Sequence, residues 1–152
     1  MTKTRILPCW FFIVFPTLPA MSHPPQATIE DKDLRPLNLA VSGAVTSSSS
    51  FQPFSDLGCK LTGKRIFVNT KAATYFITTD NTCGWGAALG PVWLVSSTKL
   101  EWKLILSSGG YSLHAAPPYT NGMPEIEISG GTAGVPLKEI FRYDGRAYRA
   151  IK

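Results

Sequence analysis

From residue 59 onward the chain alternates short apolar runs with clusters of Gly, Pro, Asn and Ser, and the runs are of strand length. Residues 65–69, 74–79, 92–96 and 101–107 are rich in β-branched and aromatic side chains and predict four strands. Within 101–107 the period is two. Trp102, Leu104 and Leu106 fall on one face, and Glu101, Lys103, Ile105 and Ser107 on the other. Gly109 and Gly110 allow a turn into a further strand at 111–115, after which Pro117, Pro118 and Asn121-Gly122 predict a loop. Residues 125–129 alternate again, with Ile126 and Ile128 opposite Glu125 and Glu127. The C-terminal stretch from Phe141 to Arg149 reads as a hairpin with a two-residue type I′ turn at Asp144-Gly145. That register sets Tyr143 opposite Arg146 and Phe141 opposite Tyr148.

Ahead of this region the pattern is different. Residues 23–55 are Pro-punctuated and polar, with a serine run from Ser47 to Ser50, and predict a mostly flexible lead with one short extended stretch at 37–45. The chain carries no long amphipathic helix pattern and no internal repeat. The expected fold class is therefore mainly β: a single small antiparallel domain over residues 56–152, either a sandwich or a strongly curved sheet.

The first 22 residues read as a cleavable signal peptide. Lys3 and Arg5 precede an apolar run of about ten residues from Ile6 to Phe15, against roughly 20 for a membrane-spanning helix, and Pro16 and Pro19 break it at once. Cleavage after Ser22 places Ala20 and Ser22 at the small-residue positions, whereas cleavage after Ala20 puts the larger Leu18 there. Met21 as the true start is the competing reading. Cys9 lies inside the apolar run and does not read as a lipid-attachment site. After cleavage no stable membrane span is expected, and the protein is expected in the periplasm or the medium.

Composition and charge narrow the classes. At 152 residues, 44% hydrophobic and 16% charged, the chain has one domain's worth of globular sequence. Loss of Lys3 and Arg5 lowers the formal charge from +5 to +3, and the remaining Lys and Arg are scattered, so nucleic acid is not an expected partner. Cys59 and Cys83 remain, and an even pair in an exported chain predicts a disulfide closing a loop of about 25 residues; two buried free thiols are the alternative. Two cysteines and the distant His114 do not make a spaced zinc set, and no metal or other cofactor is expected.

The layout is similar to that of short exported bacterial β-rich proteins of uncharacterised role. It comprises the Cys83-Gly84 loop, an apolar strand, Trp102-Lys103-Leu104-Ile105-Leu106, Asn121-Gly122-Met123-Pro124-Glu125-Ile126 and the terminal Phe141-Arg142-Tyr143-Asp144-Gly145-Arg146-Ala147-Tyr148. The resemblance covers about residues 67–149. Glu125 stands where those proteins usually carry Asp, and the Cys-Gly loop holds a single cysteine. The resemblance implies export and a β-rich fold, and it implies no active site.

Candidate chemistry is sparse. Glu125 and Glu127 share a strand face at about 7 Å, inside the carboxylate separation of inverting glycosidases, yet alternating acids are also ordinary on the exposed face of a half-buried strand. His114 sits between Leu113 and Ala115 with no nucleophile nearby in sequence. Ser129 before Gly130-Gly131 lacks the Gly-x-Ser-x-Gly elbow, and Gly130 to Gly134 lacks a phosphate-loop ending, so a turn or bulge accounts for those glycines. Loop aromatics carry the functional expectation: Trp85 in Cys83-Gly84-Trp85-Gly86, and Tyr119 with Asn121 in the Pro-rich loop, as contacts for a ligand or partner. Trp85 packing on the disulfide is the bland alternative, and Trp93 and Trp102 read as core. The expected function is a non-enzymatic exported binding module, of inhibitor or immunity type, for a protein or glycan of the cell envelope. The alternatives are a small envelope-glycan hydrolase using Glu125 or Glu127, and a purely structural envelope component.

Overall fold

The structure is a computed structural model and describes residues 26–69, 71–132 and 134–151. The expected signal peptide, its expected cleavage position and Cys9 lie outside the described residues. In chain order the elements are β1 (Ala27–Thr28), β2 (Arg35–Pro36), α1 (Leu39–Thr46), α2 (Gln52–Asp56), β3 (Leu61–Ile66), β4 (Thr74–Thr79), β5 (Gly90–Ser97), β6 (Trp102–Gly110), β7 (Ser112–Thr120), β8 (Met123–Thr132), β9 (Val135–Tyr143) and β10 (Tyr148–Ile151). They form two five-stranded sheets, ordered β1-β7-β8-β9-β10 and β2-β3-β4-β5-β6, with every pairing antiparallel. The expected mainly β fold is present, as a sandwich.

Between the sheets lies a core that includes Ile66, Phe76, Leu94, Leu106, Leu113, Ile126, Ile128 and Phe141. Strand alternation builds it directly. In β8, Ile126 and Ile128 are fully buried while Glu125 and Glu127 face outward, because successive side chains point to opposite faces. In β6 the alternation fails. The pairing with β5 slips between Leu94 and Val95, so that Leu94 faces Leu106 and Val95 faces Leu104. A bulge places one extra residue in the strand, and both Ile105 and Leu106 point into the inter-sheet core while Trp102 and Leu104 face the other way. The expectation that Leu106 shares a face with Trp102 is thereby corrected.

The larger correction concerns residues 23–55, expected as a flexible lead. Their described part, from residue 26, contributes a strand to each sheet and a helical layer. α1 starts where the Asn38 side chain accepts a hydrogen bond from the Val41 N–H at 2.9 Å. Val41 and Val45, four residues apart on one face, are completely buried against Ile77, Trp93 and Val95 on the outer face of the second sheet. Phe51 and Phe54 meet the Trp93 ring edge-on at 5.9 and 5.3 Å, and the Trp93 indole N–H donates to the Ser50 hydroxyl at 3.0 Å. The serine run thus supplies the polar partner that a buried Trp requires. Weak local propensity is overridden here by the need to cover an apolar sheet face.

Three further details differ from expectation. β3 begins at Leu61, four residues earlier than expected, with Gly63 inside it; a Cβ at Gly63 would run into the Phe76 carbonyl, so this glycine permits a close backbone approach. The stretch expected as a loop at 117–122 is mostly strand. β7 runs to Thr120, and the turn is Asn121-Gly122, both at positive φ (52° and 77°), as a type I′ hairpin requires. At Asp144-Gly145, by contrast, four residues connect the strands, and Tyr148 pairs with Tyr143 while Ala150 pairs with Phe141. The Asp144 carboxylate accepts from the N–H groups of Arg146 and Ala147, each at 2.8 Å, which stabilises the longer loop over a two-residue turn. The aromatic cross-strand pair is therefore Tyr143 with Tyr148, ring centroids 5.3 Å apart.

Cys59 and Cys83 form a disulfide with Cα atoms 5.6 Å apart, joining the segment after α2 to the turn after β4. Among the described residues no helix is long and apolar enough to cross a membrane.

Candidate functional site: cavities at opposite ends of the sandwich

Along β4 the strand runs from Thr74 at one end of the sandwich to Thr79 at the other, and the expected contact residues divide between these ends. Tyr119 and Asn121 lie at the Thr74 end, on the β7–β8 hairpin. The segment leaving β3 comes beside them. Phe67 there is 78% exposed, with the Arg65 guanidinium 5.6 Å above its ring, and Tyr119 is 64% exposed. The two aromatics line one open cavity of about 310 Å³ with Val68, Asn69, Lys71 and Gly122.

Hydrogen bonds fix this end. The Asn69 amide donates to the Gly122 carbonyl at 3.4 Å and lies 3.1 Å from the Met123 sulfur, tying the β3–β4 loop to the hairpin tip. The Asn121 amide donates to the Tyr143 carbonyl at 3.3 Å, tying the tip to the last hairpin. A second cavity, of about 290 Å³, adjoins through Asn69 and is lined also by Asn121, Ser97, Lys103 and Tyr143. Asn121 thus acts first as a brace between loops. The sequence predicts a strand over 65–69, but β3 ends at Ile66 and leaves Phe67 outside it; Asn69 just after it was the available turn signal.

Trp85 belongs to the opposite end. It is half-buried, its indole N–H donates to the Thr79 hydroxyl at 2.8 Å, and its ring leaves no room for a Cβ on Gly90. The exposed part lines a cavity of about 320 Å³ with Ile29, Glu30, Asp31, Leu34, Thr62 and Asp80 among its other walls. Burial alone would raise the Asp31 pKa, but hydrogen bonds from Lys64 and from the Thr28 backbone and hydroxyl outweigh it and hold the carboxyl below its usual value. Lys64 lies 2.6 Å from Asp31 and 3.3 Å from Asp33. On the rim, the Tyr111 hydroxyl donates to Glu30 at 2.9 Å, and this bond, with the negative charge beside it, raises the Tyr111 pKa.

Glu125 and Glu127 sit on the outward face of the first sheet, each with a cation. Arg142 contacts Glu125 at 2.6 Å and Lys138 contacts Glu127 at 2.9 Å; neither glutamate lines any of the three cavities. His114 lies across the β7–β8 ladder from Glu127, and the Ser129 hydroxyl is paired with that of Ser112 at 2.7 Å. Gly130 and Gly131, expected at a turn or bulge, continue β8 instead, and Gly130 lets the Leu89 side chain approach the strand. Among the described residues no group of three His, Cys, Asp or Glu side chains is placed to hold a metal ion. No family model matches this chain, and no curated protein or solved structure matches it either. Exposed aromatic rings lie beside the braced hairpin tip at one end of the sandwich, and carboxylates lie around a half-buried indole at the other.

Proposed function

We propose that this chain is an exported, non-catalytic binding module that engages a protein or glycan of the cell envelope through the sandwich end carrying Phe67 and Tyr119. The observation that carries the reading is the pair of large aromatic side chains left in water lining one groove, Phe67 on the segment after β3 and Tyr119 at the end of β7, beside turns held by the Asn69 and Asn121 hydrogen bonds. Aromatic side chains bring large contact area at low entropic cost, and loops on a rigid sandwich are where binding residues concentrate. The disulfide supports an oxidising compartment, in keeping with the leader sequence. The ion-paired, outward positions of Glu125 and Glu127 favour binding over glycan hydrolysis at those acids.

A photo-crosslinking side chain placed at position 67 or 119 in expressing cells tests the proposal, with position 138 on the far sheet face as control. A discrete adduct from 67 and 119, absent at 138 and lost when the other aromatic is changed to serine, is the expected result. Equal labelling from all three positions, or none from any, would sink it.

A further inference from the structure

We propose that the aromatic end of the sandwich binds an acidic oligosaccharide, a glycan with a carboxylate on successive sugar rings. The inference rests on the reading above and names the ligand class of that same surface. Two cavities adjoin there through Asn69, and each has one lysine in its wall, Lys71 in one and Lys103 in the other, with no Asp or Glu in either. Neither ammonium group forms an ion pair among the described residues. Asp144, next to Gly145 in one wall, is already engaged by the Arg146 and Ala147 N–H groups and by Arg149. Glu101, two residues from Lys103, lies outside both walls. The Arg65 guanidinium over the Phe67 ring adds a third cation without a carboxylate partner among the described residues.

Hydroxyl groups add to this surplus of donors. The Ser97 hydroxyl accepts from the Ala73 N–H at 2.9 Å and keeps its own hydrogen to give, and the Tyr143 hydroxyl has no partner among the described residues; both residues line the cavity that holds Lys103. A carboxylate answers such a surplus, because it only accepts, and its bonds from an ammonium group are stronger than neutral ones. The rings select the scaffold that carries it. An aromatic face is electron-rich and attracts the polarised C–H groups on the flat side of a sugar ring, and Phe67 and Tyr119 hold such faces in water. Each cavity, of about 310 and 290 Å³, pairs an aromatic wall with one lysine, and this repeat matches consecutive rings that each bear a carboxylate. Charge at the other end agrees. The cavity beside Trp85 has the carboxylates of Glu30, Asp31 and Asp80 in its wall and no Lys or Arg, so a polyanion is drawn to the aromatic end and repelled from that one.

The test is a titration of the ¹⁵N-labelled, disulfide-intact chain, in low salt, with a trimer of galacturonic acid and with the methyl ester of the same trimer. The Gly122 amide resonance reports the site, and the Trp85 indole N–H is the control at the far end. A saturable Gly122 shift with the acid trimer, an unmoved Trp85 signal, and an ester weaker by about fivefold or more are expected. Lys71→Gln and Lys103→Gln keep the aliphatic stem and remove the charge, and each should weaken the acid trimer about two- to fivefold, the range for an exposed charge pair. No saturable shift, equal affinity for the ester, or unchanged affinity in both lysine variants would overturn the proposal. Tighter binding of an acetylated tri-glutamate amide, which carries its carboxylates on a peptide, would overturn the glycan class. A photo-adduct at positions 67 and 119 that persists while the trimer fails to bind overturns the acidic glycan alone and leaves the first binding surface standing; loss of both overturns both.

Discussion

The helical layer over the second sheet makes the most demanding claim about stability, because it assigns structure to a segment whose sequence reads as a lead. Val41 and Val45 are fully buried, whereas Leu39, in the same helix, is 91% exposed. Truncating either valine to alanine removes two buried carbons, worth about 1.6 kcal/mol at ~0.8 kcal/mol each, and the void left behind brings the expected loss to about 2–3 kcal/mol. Leu39→Ala removes more carbon but no burial, and should stay within about 0.5 kcal/mol of the parent. Equilibrium urea denaturation of the disulfide-intact chain measures all three, and an unchanged m-value shows that the native and unfolded states are otherwise alike. Because Val41 and Val45 share neighbours in one cluster, the double variant need not equal the sum of the singles. If both valine variants fall with Leu39→Ala, the helix is not packed on the sheet and the three-layer reasoning is refuted.

Two other outcomes follow from the same structure. Replacing Cys59 and Cys83 by alanine should cost roughly 3 kcal/mol through the freed loop of about 25 residues, seen as a lower urea midpoint; an unchanged midpoint would show that the bridge does not restrain the unfolded chain. The Asp144 carboxyl accepts N–H bonds from Ala147 and Arg146 and a contact from Arg149 that hold its pKa down to about 2; with a folded value below the unfolded one, its contribution to the hairpin is present above about pH 4 and lost as pH falls through about 2. A carboxyl NMR titration should find that midpoint, and a value near the ordinary 3.8 would contradict the loop geometry.

The sites were legible only in part. Tyr119 and Asn121 could be singled out because Pro and Asn-Gly mark a hairpin region, but their partner Phe67 lies far away in sequence and is brought beside them only by the sandwich. Trp85 could be singled out by its Cys-Gly loop, yet the carboxylates around it come from the β1–β2 connection and the end of β4, which no spacing rule links. The ion pairs of Glu125 and Glu127 require the register of β8 against β9, and that register is shared by two chains of residues rather than written in either.

By itself the sequence determined the strand-rich class, the one face of β8 that goes inside, the span of β4 and the disulfide partners. These follow from local rules: a period of two along the backbone, turn residues at strand ends, and a pair of cysteines, Cys59 and Cys83, outside the leading apolar run. Only the tertiary structure decided the rest. Val41 and Val45 form a core stripe because an apolar sheet face needs cover, Ile105 and Leu106 point the same way because β5 and β6 pair with one residue to spare, and Asn121-Gly122 rather than Asp144-Gly145 makes the tight turn because the Asp144 side chain finds two backbone donors in a longer one. Each of these is a choice among locally acceptable conformations, and long-range packing supplies the energy that selects one.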